Sequence, residues 1–155
     1  MVKLNEKIEV FSLPATGDQM LSLACFAGKN LIIYFYPKDN TPGCIKEGQA
    51  FRDLYPEFEK LNSAVLGVSR DSVRVHENFK AKQAFPFDLL SDKEEQLCKQ
   101  FDVIKLKKNY GREYMGIERS TFLIDSKGKL RHEWRKVKVV GHADEVLEQL
   151  KEMVG

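Results

Sequence analysis

Residues 31–44 read Leu31-Ile-Ile-Tyr-Phe-Tyr36 and then Pro37-Lys-Asp-Asn-Thr41-Pro-Gly-Cys44, six consecutive apolar, β-prone residues followed by a polar loop that ends in a cysteine. An apolar run without alternation marks a strand covered on both faces, so this segment predicts the central strand of a sheet. Pro37 ends it. From Cys44 onward, Phe51, Leu54, Tyr55, Phe58 and Leu61 recur at spacings of three and four, which puts one apolar stripe on a helix lying against that sheet.

Working outward, residues 64–69 predict a second buried strand, and the Asp71–Gln83 region a helix turning Val75 and Phe79 inward. A short helix around Lys93–Phe101 follows Ser91 and Asp92, whose polar side chains suit its first turn. Thr121–Asp125 and Leu130–Val137 flank a polar, Gly-containing connection and predict antiparallel neighbours. After Gly141, the residues Ala143, Val146, Leu147, Leu150 and Val154 define a closing amphipathic helix. Alternating β and α units ended by a hairpin and a helix predict the α/β class, with a central mixed sheet flanked by helices. With no repeat or linker in sight, residues 1–155 form one expected domain.

Composition narrows the function. The chain is 43% hydrophobic and 31% charged, and its 25 Lys plus Arg nearly balance 23 Asp plus Glu, leaving a formal charge of +2. Such a balance gives no global reason to bind nucleic acid or an anionic membrane, so a small substrate is expected. The start has no secretory pattern and no stretch is long and uncharged enough to span a bilayer, which makes the cytoplasm the expected compartment. His76, His132 and His142 are far apart in sequence and lack the short paired spacing of a zinc site. They are expected at the surface or at caps, with no metal and no cofactor. The basic stretch Arg131–Lys138, interleaved with Trp134, Val137 and Val139, reads as the wet face of a strand, and Lys105, Lys107 and Lys108 as a loop able to attract an acidic partner.

Cysteines stand at 25, 44 and 98, too few and too odd a set for a disulfide framework. Cys44 falls at the carboxyl end of the central strand and in the first turn of the next helix, where free N–H groups and the helix dipole favour a thiolate over a thiol. Thr41, three residues earlier, can bring a hydroxyl beside the sulfur, and Pro37 restrains the loop and shields it from water. Cys98 lies in an amphipathic helix, and Cys25 before Phe26-Ala-Gly28 at a strand end; both read as core.

Pro37, Thr41 and Cys44 match the Pro-x-x-x-Thr-x-x-Cys motif of peroxiredoxins, and Arg119, in Gly116-Ile-Glu-Arg-Ser-Thr-Phe-Leu-Ile-Asp125, stands where that family carries an active-site arginine. The chain resembles a peroxiredoxin end to end, and these segments most closely resemble the bacterioferritin comigratory, or peroxiredoxin Q, subgroup. The resemblance implies a thioredoxin-like fold and a thiol peroxidase. In it Cys44 attacks a hydroperoxide and becomes a sulfenic acid, while Arg119 and Thr41 hold the peroxide. Glu47 resembles the subgroup's acidic residue after the cysteine and is expected to orient Arg119 through a bidentate pair.

One part of the resemblance fails. Subgroup members resolve the sulfenic acid with a second cysteine five residues after the first or from the next helix. Here those places hold Gln49 and the stretch Asn78-Phe-Lys-Ala-Lys-Gln83. A one-cysteine cycle follows as the expectation, with thioredoxin, glutaredoxin or a low-molecular-weight thiol as reductant. The alternatives are an atypical two-cysteine cycle through Cys25 or Cys98, and a redox-sensing or chaperone-like role for the same oxidation. A dithiol-disulfide oxidoreductase needs a second cysteine three residues away, where Thr41 and Glu47 stand. The subgroup resemblance also implies a monomer or weak dimer.

Overall fold

The computed structural model describes residues 1–155. Asn30–Phe35 forms a strand in which every residue is buried, as its unbroken apolar run requires. Successive side chains alternate between two layers. Leu31, Ile33 and Phe35 face Phe11, Leu13, Leu97, Phe101 and Phe122, whereas Ile32 and Tyr34 face Phe51, Phe58, Phe79, Val146 and Leu150.

In chain order the elements are β1 (Ser12–Ala15), β2 (Gln19–Ser22), a 3-10 turn (Leu23–Phe26), β3 (Asn30–Phe35), α1 (Pro42–Lys60), β4 (Ser63–Ser69), α2 (Val73–Gln83), β5 (Asp88–Ser91), α3 (Gln96–Gln100), β6 (Ile104–Asn109), β7 (Arg112–Ile117), β8 (Ser120–Ile124), β9 (Leu130–Trp134) and α4 (His142–Val154). Seven strands make one sheet in the order β2-β1-β5-β4-β3-β8-β9. The β3–β4 and β4–β5 pairs are parallel, and the remaining pairs are antiparallel. This is the mixed, helix-flanked sheet that the sequence predicts. Helices α1, α2 and α4 cover one face, and the short α3 belongs to the other.

Gly48 explains how closely α1 lies over its neighbours. A side chain there would overlap the ring of Phe85, so the roughly 1 kcal/mol that glycine costs a helix interior is offset by contact with the aromatic layer. That layer stacks Phe85 on Phe87 at 5.0 Å, and it fixes the helix that carries Cys44.

Several local expectations change. On α2 the inward residues are His76 and Phe79, while Val75 is exposed; the Ser72 hydroxyl caps the Val75 N–H and sets that first turn outward. Helix α3 is shorter than predicted, although Asp92 does cap it, accepting from the Cys98 N–H at 2.7 Å. Val154 is exposed in the last turn of α4. Lys105, Lys107 and Lys108 lie in a separate hairpin, β6–β7, and not in a loop. Strand β9 stops at Trp134, because Arg135 leaves the ladder to donate to the carbonyls of Phe101 and Asp102, and Lys136 takes φ +50°. The strands β1, β2 and β5 are short, and the sequence pattern bounds none of them, nor β6 and β7.

Candidate active site

Loop 37–41 leaves the carboxyl end of β3, and Pro42 opens α1 with its fixed φ, so Cys44 falls in the first turn as predicted. The sulfur is buried, with the residue 2% exposed. Arg119 reaches it from the connection between β7 and β8, with Nη2 donating to Sγ at 3.4 Å and Nη1 donating to Glu47 Oε1 at 2.6 Å. One guanidinium thus joins the thiol to a carboxylate one turn further along α1. Gly43 makes room for it, since a Cβ at that position would stand 3.1 Å from Nη2. Position 43 is unspecified in the motif, and only the fold assigns its glycine that purpose.

Glu47 departs from expectation. Its contact with Arg119 is single and not bidentate, and Oε2 is buried with no hydrogen-bond partner, as is the Tyr34 hydroxyl. Burial pushes the Glu47 carboxyl up to about 7 against the opposing pull of Arg119. Thr41 also differs. Its hydroxyl donates to the Lys38 carbonyl at 2.9 Å and not to the sulfur, while its own carbonyl accepts from the Ile45 N–H at 2.9 Å. Thr41 therefore closes the loop onto the start of the helix. Pro37 stands at the loop's entrance, directly after the buried Tyr36. The structure brings Cys44, Arg119 and Glu47 into contact and sets Thr41 and Pro37 on the loop that holds them.

A second cation, Lys107 on β6, belongs to this neighbourhood. Burial, then the charges of Arg119 and Arg70, hold its ammonium below the ordinary range, while Cys44 and Glu118 act the other way. Arg70 fastens the hairpin here by donating to the Met115 carbonyl at 3.4 Å and pairing with Glu95 at 2.9 Å.

The other cysteines are remote from this site. Cys98 is fully buried on the opposite face of the sheet from Cys44, and burial, followed by Asp92, pushes its thiol far up. Core was the correct reading for it. Cys25 was expected in the core but is exposed on the 3-10 turn, where hydrogen bonds from the Ser22 hydroxyl and N–H hold its thiol below the ordinary range. It precedes the far end of β3, a six-residue strand whose length alone separates the two by roughly 20 Å.

Two histidines assigned to surface or caps are interior groups. His76 is 0% exposed and contacts Asp39 at 2.6 Å, and Asp71 lies beside them. His142 shares a 2.7 Å hydrogen bond with Thr121, and burial lowers it to about 4. His132 is partly buried against Trp134. No periodicity betrays Asp39 and His76, which meet across 37 residues through the placement of a loop on α2.

The pattern of the AhpC/TSA family matches residues 4–133. The peroxiredoxin Bcp of Xanthomonas campestris is 56% identical over 143 residues, covering 91% of this chain and 89% of that protein. The peroxiredoxin Bcp of Bacillus subtilis is 49% identical over 152 residues, covering 98% and 97%. Among solved structures, the Xanthomonas campestris bacterioferritin comigratory protein, studied for alkyl peroxide reduction, superposes with TM-score 0.91 at 50% identity, over 97% of this chain and 100% of that one. A PrxQ mutant of Xylella fastidiosa gives TM-score 0.95 at 46% identity, over 100% and 99%. No helix is long and apolar enough to cross a membrane.

Proposed function

The chain belongs to the AhpC/TSA family and is a peroxiredoxin, a thiol-dependent peroxidase, and from that premise we propose that Cys44 is its nucleophile in a one-cysteine cycle. The observation that carries this reading is the Arg119 Nη2 hydrogen bond to Cys44 Sγ at 3.4 Å, the only one a guanidinium makes to any of the three thiols. The guanidinium that donates to the sulfur can also stabilise charge on a departing oxygen.

The thiolate attacks one oxygen of a hydroperoxide; the S–O bond forms as the O–O bond breaks, and the released alkoxide or hydroxide takes a proton. Cys44 sulfenic acid and an alcohol or water result. A reductant thiol then displaces water to give a mixed disulfide, and a second thiol restores Cys44. Arg119 and Glu47 position the reacting groups, and Thr41 and Pro37 hold the loop. The substrates are hydrogen peroxide and organic hydroperoxides, and the reductant is thioredoxin, glutaredoxin or a low-molecular-weight thiol. The distances set by the fold favour this cycle over one resolved internally, because a disulfide needs Cα atoms about 4.4–6.8 Å apart. Cys98 lies across the sheet and Cys25 at its other end.

Intact mass of the reduced protein after one equivalent of peroxide, with no thiol present, tests the proposal. A gain of oxygen confined to Cys44 is expected. Loss of two hydrogens would make Cys25 or Cys98 a resolver, and an unchanged mass would remove Cys44 as nucleophile.

A further inference from the structure

Behind the Cys44 loop, Asp39 and His76 are in contact, with both side chains 0% exposed. His76 Nδ1 lies 2.6 Å from Asp39 Oδ2, and Nε2 lies 2.9 Å from the Leu90 carbonyl oxygen. Both ring nitrogens therefore face acceptors. A neutral ring with an ionised Asp39 would set a nitrogen lone pair against an oxygen lone pair at one of these contacts, with both side chains fully buried. The arrangement needs one more proton than that, shared between ring and carboxylate. An imidazolium that donates to Asp39 and to the Leu90 carbonyl meets that count. Protonated at Nδ1, the ring also has no lone pair there for a metal.

The pair is tied on every side. Tyr36 donates its hydroxyl to Asp39 Oδ1 at 2.6 Å, and the Asp39 N–H donates to Asp71 Oδ2 at 2.9 Å. Ser69 donates to the same Asp71 oxygen at 2.5 Å, and Ser91 donates to the Asp71 carbonyl at 2.6 Å. Loop 37–41 is thereby fixed to the ends of β3, β4 and β5 and to α2. Two residues beyond Asp39, Thr41 begins the helix that presents Cys44.

We propose that Asp39 and His76 form a buried carboxylate–imidazolium pair that positions the Cys44 loop, making both of them positioning residues for peroxide reduction. This rests on the reading of Cys44 as nucleophile. Neither residue has a hydrogen bond to the sulfur or to Arg119; they act by fixing where the loop ends and α1 starts. Breaking a buried pair by removing one partner strands the other, so a well-matched neutral replacement separates geometry from charge.

Two substitutions in the full chain provide the test. Asp39→Asn keeps the hydrogen bonds around a neutral ring, with the amide oxygen accepting from Tyr36 and the amide N–H donating to Nδ1. Asp39→Ala keeps neither. The rate constant of Cys44 with hydrogen peroxide is expected to fall on the order of tenfold to a hundredfold in the alanine variant, as small misplacements near reacting groups do. It should return to within a few-fold of the native value in the asparagine variant. Alkylation of Cys44 by iodoacetamide, which needs no peroxide site, should change far less. A native rate in Asp39→Ala, or an Asp39→Asn variant as slow as the alanine one, would overturn the positioning role. Ring-nitrogen NMR of the native protein supplies an independent reading. Two protonated nitrogens on His76 at neutral pH are expected, and a ring with one proton would sink the ion pair even if neither variant folded. If native Cys44 fails to react with peroxide, the nucleophile reading falls and the positioning role with it, while the proton count still stands.

Discussion

Gln49 Nε2 donates to Gln83 Oε1 at 3.0 Å, so the side chain five residues beyond Cys44 joins α1 to α2. Arg52 adds a bond from Nη1 to the Gln83 carbonyl at 2.9 Å. In many members of the subgroup this chain resembles, a cysteine at this place resolves the sulfenic acid. On an intact helix, residues five apart point roughly 140° away from each other, so such a disulfide requires the first turns of α1 to unwind. Replacing Gln49 with cysteine supplies a thiol and removes one of these two ties to α2. After one equivalent of peroxide, Gln49→Cys is expected to lose two hydrogens by intact mass, while the native chain gains an oxygen. Oxygen gain by the variant as well would mean that α1 stays closed around Cys44.

Arg119 contacts sulfur and carboxylate at once because its two Nη atoms diverge from one planar group. Removing one preorganised donor from a charge-developing site costs on the order of a hundredfold to a thousandfold in rate. Arg119→Ala is therefore expected to slow the reaction of Cys44 with hydrogen peroxide by that much, measured by rapid-mixing fluorescence of Trp134 or by competition with a second peroxidase. Arg119→Lys should recover little of the loss, because one ammonium cannot span Cys44 and Glu47. A lysine variant at the native rate would show that charge alone suffices.

How legible the molecule is in its sequence depends on the range of the signal. The β3 run, the α1 stripe and the α4 stripe are local patterns, and each forms where its periodicity lies. The motif likewise places Cys44, Thr41 and Pro37 on one loop. Side-chain partners are decided over longer distances. Thr41 bonds Lys38 and not the sulfur because the loop's curl brings that carbonyl closer, and His76 turns inward because α2 packs over Asp39. The strands β1, β2 and β5 have only four residues each, too short for an alternation to stand out from coil. Exposed Cys25 escaped because the 3-10 turn interrupts the expected strand.

Glu47 gives stability a pH dependence of defined sign. Its carboxyl is held at about 7 in the folded protein against an ordinary 4.5, so between those values the folded state keeps a proton that the unfolded chain has lost. Stability from this residue is full below 4.5 and declines as pH rises toward 7. Glu47→Gln mimics the protonated side chain. Urea unfolding should therefore give nearly equal stabilities at about pH 4.5, with the glutamine variant gaining on the order of 3 kcal/mol by about pH 8. A difference independent of pH would mean that Arg119 keeps Glu47 ionised throughout.

His142 has the opposite sign. Buried beside Thr121, with the Phe51 and Trp134 rings at 6.0 and 5.8 Å, it is lowered from 6.5 to about 4. As pH falls through that interval the unfolded chain takes up a proton that the folded state refuses, so stability from His142 is present above 6.5 and is lost toward 4. His142→Gln removes the titration, and its stability relative to the native protein should rise by about 2–3 kcal/mol between roughly pH 7 and pH 4. The Glu47 and His142 windows overlap from about 4.5 to 6.5, where one slope opposes the other. The native protein should therefore show little net dependence from this pair across that range. The single variants should slope in opposite directions, and the double variant should be nearly flat again. Parallel slopes in the two single variants would contradict the neutral assignment of the buried imidazole.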